Sequence, residues 1–205
     1  LQHCRVARQA LVVHALDRGA RQDVVELVEQ DFLPDCVQTA GWVGDAARHF
    51  GPRGQPLQLA QRLPPNARIL ELGAYCGYSS IMIANAFGPA ARITSIEIDP
   101  HAVASSRANV EFAGLSGRIT FVHGPSTQMI ATLQGRFDLV FLDHWKDLYK
   151  SDLQLIEQRG LIGPGSIVVA DNVGKIFAPE AYLDYVRNCG HYDCEHREAT
   201  IEYTS

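Results

Sequence analysis

The chain has 205 residues, 46% of them hydrophobic and 20% charged, enough to bury a sizeable core and by default one domain. A net charge of -5 leaves no electrostatic footprint for nucleic acid or an anionic membrane surface, so small molecules are the expected partners. No apolar run is long enough to cross a bilayer, and the opening Leu1-Gln2-His3-Cys4-Arg5 has neither a signal-peptide core nor an initiator Met, so the chain is expected to begin inside a longer reading frame.

In chain order, the first third reads as helical. Val6, Ala10, Val13 and Leu16, then Val24, Val25, Leu27 and Val28, recur at helix spacing, with Asp23 placed to favour the second start. Residues 1–66 are therefore expected to be cap helices, with Gly51-Pro52-Arg53-Gly54-Gln55-Pro56 and Pro64-Pro65 punctuating the path into a core over residues 67–205. From Arg68 onward, apolar β-branched runs alternate with helical stretches. Strands are expected at 68–72, 92–98, 119–123, 139–143 and 166–170, and helices at 79–87, 100–113, 126–133, 150–157 and 179–187. That rhythm predicts βαβ units in a Rossmann-like three-layer α/β sandwich, a mostly parallel sheet with helices on both faces.

The first core strand runs into Glu71-Leu72-Gly73-Ala74-Tyr75-Cys76-Gly77-Tyr78-Ser79. Gly73 and Gly77 allow a tight turn and a close approach of ligand to backbone, and the helix that follows offers unpaired N–H groups. The spacing is Gly-x-x-x-Gly, so the Gly-x-Gly-x-x-Gly pyrophosphate cradle is absent and a dinucleotide is disfavoured. The next strand ends Ser95-Ile96-Glu97-Ile98-Asp99, putting an acid about twenty residues downstream, where a ribose diol needs an acceptor. A nucleoside without a diphosphate, held by the glycine loop and by Glu97, points to S-adenosylmethionine. The plainer alternative is a bare strand-to-helix turn followed by a solvated acid.

Two later runs, Phe137-Asp138-Leu139-Val140-Phe141-Leu142-Asp143 and Ile167-Val168-Val169-Ala170-Asp171-Asn172, each end in oxygen donors. As neighbouring buried strands of a parallel sheet they would bring Asp143, Asp171 and Asn172 around one point, a hard-cation site that suits Mg2+ with room for an oxygen-bearing ligand. The five cysteines are scattered and form no Cys-x-x-Cys pair, which suits a reducing compartment and a cytoplasmic location. Cys189, His191, Cys194 and His196 crowd together but match no standard zinc finger, and a turn into a final strand is the better reading.

Four segments, Glu-Leu-Gly-Ala-Tyr-Cys-Gly-Tyr-Ser at 71–79, Val-Phe-Leu-Asp-His-Trp-Lys-Asp at 140–147, Ala-Asp-Asn-Val at 170–173 and Val-Gly-Asp-Ala at 43–46, resemble catechol O-methyltransferase. The similarity runs from about Val43 to Tyr203. It implies a class I methyltransferase sheet, S-adenosylmethionine, Mg2+ and a catechol substrate. Residue by residue, it assigns the metal to Asp143, Asp171 and Asn172, the general base to Lys146, and the second catechol hydroxyl to Glu202. It assigns the ribose to Glu97, the methionine side of the cofactor to Gly73, Tyr75 and Ser79, and a backbone contact nearby to Val43. Glu71, Ile98 and Asp143 complete the cofactor set, with Ser126, His144 and Trp145 at adenine and substrate-wall positions. The substrate set is Asp143, Trp145, Lys146, Asn172 and Glu202. Such a site would lower the pKa of a phenol from its usual ~10 by chelating two vicinal oxygens, with Lys146 taking the proton.

The chain departs from that family in places. Gly41 replaces the methionine that packs over the sulfonium, with Trp42 beside it, and Ile176 stands where a proline walls the catechol slot. Thr127 takes the place of an adenine-contacting glutamine, which is shifted to Gln128. The family's last antiparallel strand is absent after Tyr203-Thr204-Ser205, so the strand around His191 to Glu198 is expected to lack its hairpin partner. That would leave an edge on which a second copy of the chain could pair. Two other readings stand beside the enzyme: a nucleotide-dependent oxidoreductase of the same fold class, and a non-catalytic or weakly active S-adenosylmethionine-binding scaffold.

Overall fold

The computed structural model describes residues 6–15, 62–171, 173 and 179–201. Contacts divide the chain into two compact units, one comprising Leu1–Asp31 with Ile130–Ser205 and the other Phe32–Met129.

The Phe32–Met129 unit is built on three parallel strands, β2 (Arg68–Leu72), β3 (Arg92–Glu97) and β4 (Ile119–His123), with β3 between the other two. Their apolar side chains explain the arrangement: Ile69, Leu70, Leu72, Ile93, Ile96, Ile119 and Phe121 are all buried. Strands covered on both faces read as near-continuous apolar runs, and β2 is buried at every position after Arg68. Two helices follow β2 and β3, α1 (Tyr78–Phe87) and α2 (Pro100–Phe112). Proline occupies the first turn of α2, where its missing N–H costs nothing, and the Asp99 carboxylate caps the His101 N–H at 2.8 Å. A short helix, α3 (Ser126–Ile130), comes after β4 and ends earlier than the expected 133, in a turn where the Leu133 N–H bonds the Ile130 carbonyl.

In the other unit, β5 (Leu139–Leu142) and β6 (Ile167–Ala170) are parallel and in register, Leu139 with Ile167 through Leu142 with Ala170. Between them runs α4 (Tyr149–Gln158), which buries Tyr149, Asp152, Leu153 and Ile156 along one stripe at helix spacing. After β6 come α5 (Glu180–Asn188) and the strand β7 (Tyr192–Ile201). Successive βα segments with parallel pairing in both units place the chain in the Rossmann-like α/β class.

The first described segment differs from expectation. Residues read as a helix from Val6, Ala10 and Val13 form a strand, β1 (Val6–Ala15), antiparallel to β6 on one side and to β7 on the other. Leu11-Val12-Val13 is a short apolar run whose periodicity serves either structure, and pairing on both edges satisfies its N–H and C=O groups as a strand. This corrects a second expectation. β7 is not left without a partner, because β1 pairs with it from Val6–Ile201 to Ala15–Tyr192, so the ground for a dimer through an unpaired strand falls away. The proposed helix at 24–28 and the loop at 51–56 lie outside the described residues.

Candidate active site

In the Phe32–Met129 unit, the loop from β2 to α1 folds through three left-handed backbone positions, Gly73 (φ 96), Tyr75 (φ 47) and Gly77 (φ 78). Gly77 also meets a steric limit, since a Cβ there would lie 3.1 Å from that of Ser106 in α2. The loop is pinned from below by the Ser106 hydroxyl, which donates to the Tyr75 carbonyl at 3.0 Å, and by the Asn109 amide, which donates to the Cys76 carbonyl at 2.9 Å. The Gly73 N–H donates to the Ile96 carbonyl at 2.9 Å.

Two carboxylates flank this loop. Glu97, at the end of β3, accepts from the N–H groups of Ala74 at 3.0 Å, Tyr75 at 2.9 Å and Asp99 at 2.9 Å. It therefore fixes the loop as well as presenting acceptor oxygens at the strand end. Glu71 is fully buried and accepts from the hydroxyls of Ser80 and Ser95. Burial pushes its carboxyl above the usual 4.5, opposed by hydrogen bonds from Ser79, Ser80 and Ser95. Its Oε1 has no hydrogen-bond partner among the described residues. A buried acceptor left open costs free energy unless a ligand donor reaches it, and the ammonium of an amino acid is such a donor. Beside the strand ends, Tyr75 and Ile98 expose apolar surface, 48% and 57%, while Ser126 is half-buried at the start of α3. The acceptor set thus suits a nucleoside joined to an amino acid.

In the other unit the chemistry gathers at the ends of β5 and β6. Because Leu142 pairs with Ala170 and the Asp171 N–H donates to the Leu142 carbonyl at 2.9 Å, Asp143 and Asp171 leave adjacent strands side by side. Both carboxylates act on the Tyr149 hydroxyl: its burial first, then the charges of Asp143 and Asp171, hold that phenol well above its ordinary pKa and hence neutral. Two hard oxygen donors so placed fit a small divalent cation that keeps further positions for water and substrate. Among the described residues no group of three His, Cys, Asp or Glu side chains forms a cation cage. Asn172, the third expected ligand, lies outside the described residues, as do Val43 and Glu202.

After Asp143 the chain turns through His144 and Trp145 into a 3-10 turn, Lys146–Leu148. Lys146 Nζ stands 3.4 Å from Asp143 Oδ1 and 5.2 Å above the centroid of the Tyr149 ring. Trp145 is 74% exposed, free to wall a ligand. His144 points into its own unit, stacking on Tyr149 at 5.1 Å and bonding Asp152 Oδ2 through Nε2 at 2.9 Å. Its Nδ1 is buried without a hydrogen-bond partner among the described residues. Sequence reasoning missed Tyr149, Asp152, Ser80 and Ser95. The available signal for the first two was their three-residue spacing, which places both on the buried stripe of α4.

A family model described as a methyltransferase domain matches residues 70–173. Catechol O-methyltransferase of Sus scrofa is 40% identical over 166 residues, covering 78% of this chain and 89% of the relative. That of Bos taurus is 40% identical over 164 residues, covering 77% of this chain but 60% of the longer relative. Among solved structures, the cofactor-bound Rv0187 from MTB matches with a TM-score of 0.59 at 27% identity, over 74% of this chain and 78% of that one. The O-methyltransferase TomG from Streptomyces achromogenes, involved in tomaymycin synthesis and solved in complex with SAM, matches with a TM-score of 0.57 at 25% identity, over 87% of this chain and 92% of that one.

Proposed function

Because this chain belongs to the catechol O-methyltransferase family of S-adenosylmethionine-dependent methyltransferases, we propose that it transfers the methyl group of S-adenosylmethionine to a hydroxyl of a catechol. The observation that carries the substrate end of this reading is the register of β5 and β6, which sets Asp143 beside Asp171. The cofactor end rests on Glu71 and Glu97. Glu97 has acceptor capacity left for the ribose hydroxyls beyond its three backbone N–H bonds, and the open Oε1 of Glu71 suits the methionine ammonium.

Asp143 and Asp171, with Asn172 by family resemblance, would hold Mg2+, whose charge would lower the pKa of a phenol from its usual ~10 and orient two vicinal oxygens. Lys146 Nζ, in its neutral amine form, is the group in this loop that would accept the phenolic proton, and it stands 3.4 Å from Asp143 Oδ1 at the strand end where that proton is released. Trp145 walls the ring of the substrate, and Glu202, by family resemblance, would hold the hydroxyl that is not methylated.

The test is transfer of label from methyl-labelled S-adenosylmethionine to a simple catechol, with Mg2+ and with excess chelator. Product that forms only with Mg2+ is expected. Equal product with chelator would remove the metal from the reading. Cofactor binding with no product under either condition would identify an S-adenosylmethionine-binding scaffold instead.

A further inference from the structure

A single buried side chain ties the base-bearing turn to the end of the neighbouring strand. Tyr149 opens α4 and has no exposed surface. Its hydroxyl donates to the main-chain carbonyl of Asp171 at 3.0 Å. Its backbone N–H donates to the carbonyl of Lys146 and closes the 3-10 turn that carries the lysine. The Lys146 ammonium stands 5.2 Å over its ring. The ring itself is clamped, stacked on His144 at 5.1 Å and met edge-on by Tyr182 at 5.6 Å. His144 is in turn anchored to the buried Asp152.

We propose that Tyr149 is a positioning residue for the methyl-transfer reaction, which fixes the backbone of Asp171 and the height of Lys146 relative to it, and so sets both metal affinity and the placement of the base. The inference rests on the O-methyltransferase reading, because only there do Asp171 and Lys146 hold a cation and take a proton. The physical ground is the exit of the chain from β6. Past Ala170 the parallel ladder with β5 ends, and the Asp171 carbonyl takes its hydrogen bond from a side chain instead. Fixing that peptide fixes the start of the side chain it carries. The same residue holds Lys146 through main chain and ring, so the distance between ligand and base is determined by one rigid aromatic.

The test compares the full-length wild type with Tyr149→Phe, which keeps the ring, the stack and the cation contact and deletes the hydroxyl. Mn2+ alone, without catechol or cofactor, is titrated and the free ion read by electron paramagnetic resonance. About tenfold weaker Mn2+ binding is expected in the variant. The half-saturating Mg2+ in catechol methylation should rise by a similar factor, with S-adenosylmethionine affinity by calorimetry unchanged. Tyr149→Leu, which removes the ring as well, should in addition lower kcat at saturating Mg2+. Unchanged Mn2+ affinity in Tyr149→Phe would overturn the positioning role and leave the methyltransferase reading standing. Parallel loss of Mn2+ and cofactor binding would overturn it too, marking a general structural role. A wild type that binds no Mn2+ would sink the metal reading and this inference together.

Discussion

Asp143 and Asp171 sit side by side because the backbone requires it: Leu142 faces Ala170 across a parallel ladder, and the first residue after each strand is an aspartate. Two like charges at adjacent strand ends repel, and Lys146 at 3.4 Å from Asp143 offsets part of that repulsion. A divalent cation would offset more.

Asp143→Ala is expected to abolish Mg2+-dependent catechol methylation while leaving adenosine binding in place. Turnover with and without chelator measures the first and calorimetry the second. Full turnover in the variant would show that the metal lies elsewhere.

Glu97→Ala should weaken S-adenosylmethionine binding by about 1–3 kcal/mol through loss of a charged hydrogen bond. Part of that loss is indirect, since the N–H groups of Ala74, Tyr75 and Asp99 lose their acceptor with it. Calorimetry on Glu97→Gln, which keeps one acceptor oxygen, should give an intermediate affinity. An unchanged Kd in Glu97→Ala would refute the ribose assignment.

Glu71 predicts a pH dependence of stability. Its carboxyl is raised above 4.5, chiefly by burial, so the folded state holds its proton more tightly than the unfolded chain does. The stability this confers is fully present below pH 4.5 and is lost as pH climbs through the raised folded value. Urea midpoints of the cofactor-free protein should therefore fall as pH rises above 4.5, and fall less in Glu71→Gln, which cannot ionise. Identical pH slopes in the two proteins would contradict the assignment.

Asp152→Ala removes the partner of His144 Nε2 from a ring whose Nδ1 has none among the described residues. Leaving the imidazole buried and unbonded should cost about 1–3 kcal/mol, read as a lower urea midpoint. Asp152→Asn retains an acceptor and should cost less. A midpoint equal to wild type would show that the pair contributes nothing to the stack beneath Lys146.

Much of the frame was legible. Strands 68–72 and 119–123 match their expected limits because charged residues and turn formers bound apolar runs on both sides. The strand-end aspartates were legible for the same reason, since an acid that closes a buried run has one edge of the sheet to occupy. The Asp-His-Trp-Lys run carried the family resemblance, which the 40% identity to the Sus scrofa enzyme bears out. Val6–Ala15 was misread, because a short apolar run has no period that separates helix from strand and its pairing partners lie far along the chain. Asp152 was missed because an acid in Lys150-Ser151-Asp152 looks like any solvated helix position until His144 is seen above it. The backbone bonds of Glu97 were missed because loop N–H groups leave no mark in the sequence.

The pairing of Val6 with Ile201 has a consequence for biosynthesis. A ribosome delivers the second strand of this ladder nearly two hundred residues after the first, so β1 must wait for the intervening chain before β7 can join it. The three strands of the Phe32–Met129 unit pair across far shorter stretches and can close while translation continues. A ladder closed across so long a separation is a non-local contact of the kind that slows folding.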